Sequence, residues 1–336
     1  MRLAAPRLLI GLVVLICAEV FSGASIQVGI WSPWTWLMTY WLYFAHFFML
    51  CTLAARTGRT SLGALYLWGV LFGLYESWIT KVIWFGYGGD GKLALGSIGP
   101  YGYSEISMVL LFHPVASFLL PLAVACVLSP PLRTWFPDVA WLTGRGVVAR
   151  AAQVYMVLSF SLTMAINSGG PMHLAENLIL VVALLVIFLW LARPGLAAIA
   201  PPGLVVLGRV GLVTASTYLV ALYGLTYRFI RPEGLPSVPV QLKTFVFYAA
   251  AGVGLGAYRR RAPLAPAPEV TDDERRRLVG GLTAIFTLGF AASFVAGAPA
   301  LMLPIVVNFA IWTPLGLVLT SLALTGPIFL RRPSEG

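Results

Sequence analysis

The chain has 336 residues, of which 59% are hydrophobic and only 10% charged, with a mean hydropathy of +0.88. A soluble domain carries about 25% charged residues, so a mostly water-facing surface is excluded. The net charge of +10 does not point to nucleic acid, because the arginines sit in short loops between apolar runs and form no surface large enough for a phosphate track.

Apolar runs of about 20 residues, the length that crosses a hydrocarbon core of roughly 30 Å, recur from end to end. They predict an all-α, polytopic transmembrane helix bundle of about 10 spans, a single domain over residues 1–336 with the lipid bilayer as its surround. The spans are placed at 8–21, 35–54, 62–84, 106–128, 147–166, 177–191, 204–225, 240–258, 278–296 and 302–330. Stretches rich in proline, glycine and charge separate them, among them TGRTS, SPPLRTWFP, NSGGP and RPEGLPS.

The first span is short, with Arg2 and Arg7 before it and SGAS after it. Glu19 inside it, and the lack of a clean small-x-small site, favour a retained helix over a cleaved signal peptide. Nine aromatic rings crowd between Trp31 and Phe48. Near the interface they read as an anchoring belt; past Tyr40 they lie too deep for one and read as helix packing or the lining of an apolar ligand site. His46 lies there, near mid-depth.

The third span ends in GLYESWITKVIW, from Gly73 to Trp84. Glu76 is expected about 12 Å inside the helix end, and Lys81 is expected to snorkel outward along its stem. Five positions apart, the two make a poor intrahelical pair, so each is expected to meet a partner on another helix. The following loop, FGYGGDGKLALGSIGPYGYSE, lacks phosphate-loop spacing and is expected to form a lid or re-entrant hairpin. In the fourth span His113 precedes Pro114, and Glu105 lies two turns above it. Glu76, His113 and His46 thus fall at comparable depths on successive helices, where carboxylate and imidazole suit a metal ion or a proton relay.

NSGGPMHLAEN puts His173 and Glu176 three apart at a helix start, a spacing that can hold a metal. HLAENLIL resembles the HLxxN helix of rhomboid proteases over fewer than ten residues. That family needs a later nucleophilic serine and a histidine on a later helix; His173 is the last histidine of this chain, which excludes it. His173 and Asn177 match the HxxxN spacing of CAAX-type intramembrane proteases, whose paired glutamates are missing because Glu76 follows Tyr75. The simpler reading is that Asn167, Ser168 and His173 cap a helix. Further on, the loop 259–277 is the one real linker, with an extended APLAPAP core and a helix start at TDDERRR. Pro314 and Pro327 are expected to kink the last span.

With the N-terminus inside, 17 of the 22 lysines and arginines fall on the inner side and 5 on the outer. This positive-inside bias predicts an N-in/C-in arrangement in the cell (cytoplasmic) membrane. Glu19, Glu76, Glu105, His173, Glu176 and all three lysines then lie toward the outer side, which suggests a polar cavity opening outward. Cys17, Cys51 and Cys126 all fall in apolar segments, with no disulfide or metal-thiolate spacing. No cofactor or oligomeric state is assigned. The leading expectation is a secondary transporter or permease for a small solute, proton or metal ion around Glu76. The alternatives are a membrane-embedded, metal-dependent hydrolase or transferase acting on a lipid-like substrate through Glu76, His113, His46, His173 and Glu176, or a structural or assembly subunit.

Overall fold

The computed structural model describes residues 3–24, 32–87, 91–93, 95–196, 202–266, 268–296 and 299–329. Arg2, Trp31, Gly88, Gly89, Asp90, Ala94, Arg331 and Arg332, which enter the expectations above, lie outside the described residues. Helix α1 runs over Ala4–Leu15 and widens into a π-turn at Ile16–Val20; α2 spans Thr35–Thr57 and α3 Leu62–Thr80. A short α4, Val82–Phe85, and a hairpin of β1 (Ser97–Ile98) and β2 (Tyr101–Gly102) follow. Helix α5 spans Tyr103–Leu128, α6 Val147–Asn167, α7 Pro171–Leu196 and α8 Arg209–Phe229. The last three are α9, Val238–Ala257, α10, Asp272–Ser293, and α11, Pro299–Phe329.

Each expected apolar segment overlaps one of these helices. Among the described residues, eight helices are long and apolar enough to cross a membrane. The two remaining expected spans fall on α1, which has only 12 residues before its π-turn, and on α10, which opens on the charged run DDERRR. Helix α7 begins earlier than expected, at Pro171, because proline at the first position has no N–H to leave unpaired. Helix α8 begins later. Residues 204–208 are not helical, although Leu204 and Val205 are fully buried. Their backbone is satisfied by side chains instead. Arg7 donates to the Gly203 and Val206 carbonyls, Arg56 donates to Leu207 O, and Leu207 N–H donates to Thr52 Oγ1 at 2.8 Å.

Burial divides the bundle into two shells. Within their apolar windows α2, α3 and α5 are 61, 72 and 89% buried, against 17–33% for α6–α9 and α11. Helix α1 belongs inside, with Leu9, Ile10, Leu12, Val14 and Leu15 fully buried. The outer helices expose apolar side chains such as Val147, Val210 and Ile179. An apolar surface of this extent is stable only in lipid, so the chain is a multi-pass membrane protein.

The arginine-rich end is held by capping and ion pairs. Helix α2 stops at Gly58, whose φ of +67° favours glycine, and a Cβ there would lie 2.9 Å from Arg261 O. Thr271 and Glu274 form a reciprocal capping box at the start of α10. Arg133 pairs with Glu274 at 3.2 Å, and Asp273 is held by Arg145 and Arg277. Burial alone would raise the Glu274 pKa; the Thr271 N–H bond and Arg133 outweigh it and hold it below the usual value. Arg145, then Arg277, lower that of Asp273. Many of these arginines therefore do more than set topology.

Candidate functional site

The site begins with two glycines one turn apart on α3. Gly69, Gly73 and Glu76 stand at i, i+4 and i+7 and so share one helix face. A Cβ at Gly69 would lie 2.5 Å from Pro114 Cα, and one at Gly73 would lie 2.9 Å from Val109 Cα. The glycines therefore let the backbone of α5 sit directly against α3, the close approach that small residues permit between membrane helices. On the α5 side, Pro114 has no N–H to give and its ring crowds the preceding turn. The helix accommodates it by widening into a π stretch over Met108–Leu119.

That docking delivers His113 to Glu76. Nε2 of His113 lies 3.0 Å from Oε2 of Glu76, and Nδ1 lies 2.9 Å from Oγ of Ser117, one turn further along α5. His113 is 3% exposed and Ser117 fully buried. Each member of the chain has a partner in more than one protonation state. With Glu76 ionised and His113 neutral, Nε2–H donates to the carboxylate and Nδ1 accepts from the Ser117 hydroxyl. With one more proton on the pair, Nδ1–H donates and the Ser117 hydroxyl turns to accept. A proton can thus be loaded without breaking a contact.

A second polar pair lies beside the first. Tyr43 on α2 donates to Oε1 of Glu19 at 2.5 Å, and Glu19 sits in the π-turn of α1. Phe72 separates the two pairs, stacked on Tyr43 at 5.6 Å and on His113 at 5.8 Å. Both carboxylate systems therefore involve π-helical turns, which recur at functional sites because they loosen the backbone ladder.

The remaining expected residues divide. His46 packs on Phe72 at 4.6 Å and edge-on to Tyr75 at 4.2 Å, and its buried Nδ1 has no hydrogen-bond partner among the described residues. It stands near His113 without joining the Glu76 contact. No three His, Cys, Asp or Glu side chains among the described residues form a metal-holding group. Glu105 is fully buried and accepts from Ser104 at 2.8 Å. Glu176 is exposed at the start of α7, and Asn177 donates to the His173 carbonyl at 2.9 Å. Asn167 reaches the Ser22 carbonyl at 2.7 Å, tying the end of α6 to α1. The deep aromatics of α2 pack against neighbouring rings, as Phe47 does on Phe118.

Lys81 corrects its expectation most clearly. It does not snorkel: it is fully buried, with Nζ on the carbonyls of Ile79, Thr226 and Ile230. The last two close the C-terminal end of α8, where a cation complements free carbonyls and the helix dipole. The partners the sequence left unidentified, Tyr43 and Ser117, carried a faint signal. Ser117 follows His113 by four residues, and Tyr43 lies in the part of the aromatic run too deep for a belt.

The glycine-rich loop forms the expected hairpin in part, with Ser97 opposite Gly102 and Ile98 opposite Tyr101. Arg231 fastens the loop's start by donating to the Gly86 and Tyr87 carbonyls at 2.9 and 2.7 Å. Below it, Ser77 Oγ, Trp78 Nε1, Trp84 Nε1 and Glu105 Oε1 are buried without a hydrogen-bond partner among the described residues. With His46 Nδ1 they concentrate unsatisfied polar atoms around the Glu76 end of α3.

Comparison with known proteins adds a family. A family model described as "Uncharacterized membrane protein family" matches residues 8–332. An Archaeoglobus fulgidus protein described as "Uncharacterized protein" is 36% identical over 118 residues, 35% of this chain and 36% of that protein. The match thus spans about a third of the relative's length. No solved structure matches the chain.

Proposed function

The chain belongs to the Uncharacterized membrane protein family, and from that premise we propose that it is a proton-linked secondary transporter of a small solute or ion in the cytoplasmic membrane. The Glu76–His113 pair is its proton carrier. One observation carries this reading: a carboxylate, an imidazole and a hydroxyl form an unbroken hydrogen-bonded chain in the most buried part of the bundle. Ionisable groups are costly at that depth and persist where they serve a pathway or relay. Their arrangement takes up one proton by rotating a single hydroxyl. Glu19 and Glu105 flank the pair, and the unsatisfied polar atoms near Trp78 and Trp84 supply groups for a hydrated solute path. The arginine asymmetry supports an N-in/C-in orientation.

The test is proton flux in liposomes containing the purified protein and an internal pH dye, challenged with a panel of small solutes. The wild type should show flux driven by at least one solute, and Glu76→Gln should abolish it while remaining monodisperse. Normal solute-driven flux through Glu76→Gln, in protein of unchanged fold, would rule the carrier role out.

A further inference from the structure

Away from the Glu76 site, a cavity of about 1350 Å³ opens at the arginine-rich end. That exceeds the roughly 300–1,000 Å³ of pockets for small molecules. Its body is apolar, walled by Phe112 and Val115 of α5, Phe160 of α6, and Trp312 and Leu319 of α11. It reaches along α11 from Gly326 to Trp312, about 21 Å at the helical rise. An acyl chain covers one leaflet, about 15 Å of hydrocarbon, so the slot is long enough to hold one. Val148 and Leu322, on its α6 and α11 walls, are 72% and 61% exposed, which gives access from the side where lipid lies.

The mouth is different in kind. Arg259, Arg260 and Arg261 line it beside Ser61 and Trp141. Arg261 is neutralised by Asp138 at 2.7 Å. Arg259 and Arg260 are exposed and make no ion pair among the described residues. The segment is anchored before the pair by Arg59, which donates to the Gly256 carbonyl at 3.2 Å, and after it by Arg261 N–H to Gly58 O and Leu264 N–H to Thr134 O, each at 2.8 Å. Two cations with no ion-pair partner among the described residues therefore stand at the arginine-rich end of an apolar slot.

We propose that this cavity binds an anionic phospholipid of the surrounding bilayer, its phosphate held by Arg259 and Arg260 and an acyl chain laid between α5, α6 and α11 toward Trp312. Basic pockets between membrane helices recognise acidic head groups in this way. A zwitterionic lipid would fill the slot, but its ammonium cancels the phosphate charge and is repelled by the two arginines, so it should bind more weakly; a free phosphate would satisfy the cations but not the slot.

The experiment titrates phosphatidylglycerol or phosphatidylcholine into detergent-purified, delipidated protein and counts bound lipid by native mass spectrometry. Phosphatidylglycerol should be retained in preference to phosphatidylcholine, and glycerol phosphate should not displace it. Arg259→Ala/Arg260→Ala should weaken retention about 30-fold, which is about 2 kcal/mol at 1.4 kcal/mol per tenfold. Arg275→Ala/Arg276→Ala removes the same charge from exposed positions that do not line the cavity and should leave retention unchanged. Ala152→Trp, or Ala151→Trp if the first is not monodisperse, fills the slot with the arginines intact and should also abolish retention. Equal loss in both arginine pairs, full retention in the filled variant, equal binding of phosphatidylcholine, or displacement by glycerol phosphate would each overturn the proposal.

Discussion

Replacing Gly69 or Gly73 by alanine adds one carbon where α3 meets α5. At Gly69 the new Cβ would lie 2.5 Å from Pro114 Cα and 3.1 Å from Pro114 O; at Gly73 it would lie 2.9 Å from Val109 Cα and O. Carbon atoms pack at about 3.5–4.0 Å, and these obstacles are backbone atoms that no rotamer can clear. The helices must therefore separate by about 1 Å to restore that spacing. The His113–Glu76 contact, now 3.0 Å, would open to about 4 Å, outside hydrogen-bonding range. Overpacking costs about 1–3 kcal/mol, and leaving buried polar partners unpaired costs about 1–3 kcal/mol more. Better helix propensity offsets only about 0.5–1 kcal/mol.

Gly252 on α9 provides the control, because a Cβ there meets nothing within 4 Å. Gly252→Ala should be neutral or stabilising by about 0.5–1 kcal/mol. Thermal unfolding midpoints of the three variants in one detergent, read by loss of the monodisperse peak after heating, separate the cases. Both α3 variants should unfold well below the wild type and Gly252→Ala at or above it. Equal midpoints for Gly69→Ala and Gly252→Ala would refute the close-approach argument and, with it, the account of how Glu76 meets His113.

Lys81→Met keeps the stem but strips the cation from the end of α8, so Thr226 and Ile230 carbonyls lose their donor; a loss of about 1–3 kcal/mol is expected, seen as a lower unfolding midpoint, and an unchanged midpoint would show the contact to be idle. Asp273 and Glu274 have folded pKa values below the ordinary 3.8 and 4.5, so the unfolded chain binds protons first as pH falls. Their contribution is complete above those values and lost as pH drops through the lower folded ones; Thr271→Ala, which removes one arm of the capping box at a cost of about 1 kcal/mol, should unfold more readily than the wild type at neutral pH. Cys17, Cys51 and Cys126 are all buried, so the folded protein should resist maleimide labelling until denatured; rapid labelling of native protein would contradict the inner-shell packing of α1, α2 and α5. For topology, single cysteines replacing Glu233 and Leu264, at opposite ends of α9, are expected to react with an impermeant maleimide from opposite sides of the membrane.

The fold class was legible because it depends on a quantity that every residue contributes to. A chain this apolar, cut at regular intervals by proline, glycine and arginine, has few ways to satisfy its backbone other than helices in lipid. Helix existence followed from local hydropathy, and Glu76 and His113 stood out because ionisable groups are rare in such segments. Even their contact had a local trace in the Gly69, Gly73 and Glu76 spacing, which marks the face of α3 that another helix approaches.

What hydropathy does not carry is azimuth and order of packing. Depth along a helix follows from a constant rise, whereas the direction a side chain points relative to a neighbour depends on how two helices are rotated against each other. Hence Glu76, His113 and His46 were at matched depth, yet only the first two meet, and His46 turns to Phe72 and Tyr75. Lys81 read as a surface cation because its buried partners are carbonyls 145 and 149 residues away. Residues 204–208 read as helix because their backbone donors and acceptors are met by Arg7, Thr52 and Arg56 from the other end of the chain. The lipid-sized slot between α5, α6 and α11 likewise has no signature in sequence, because it is the space those helices leave between them. Only the assembled bundle decides such things, since each is a relation between residues far apart in the chain.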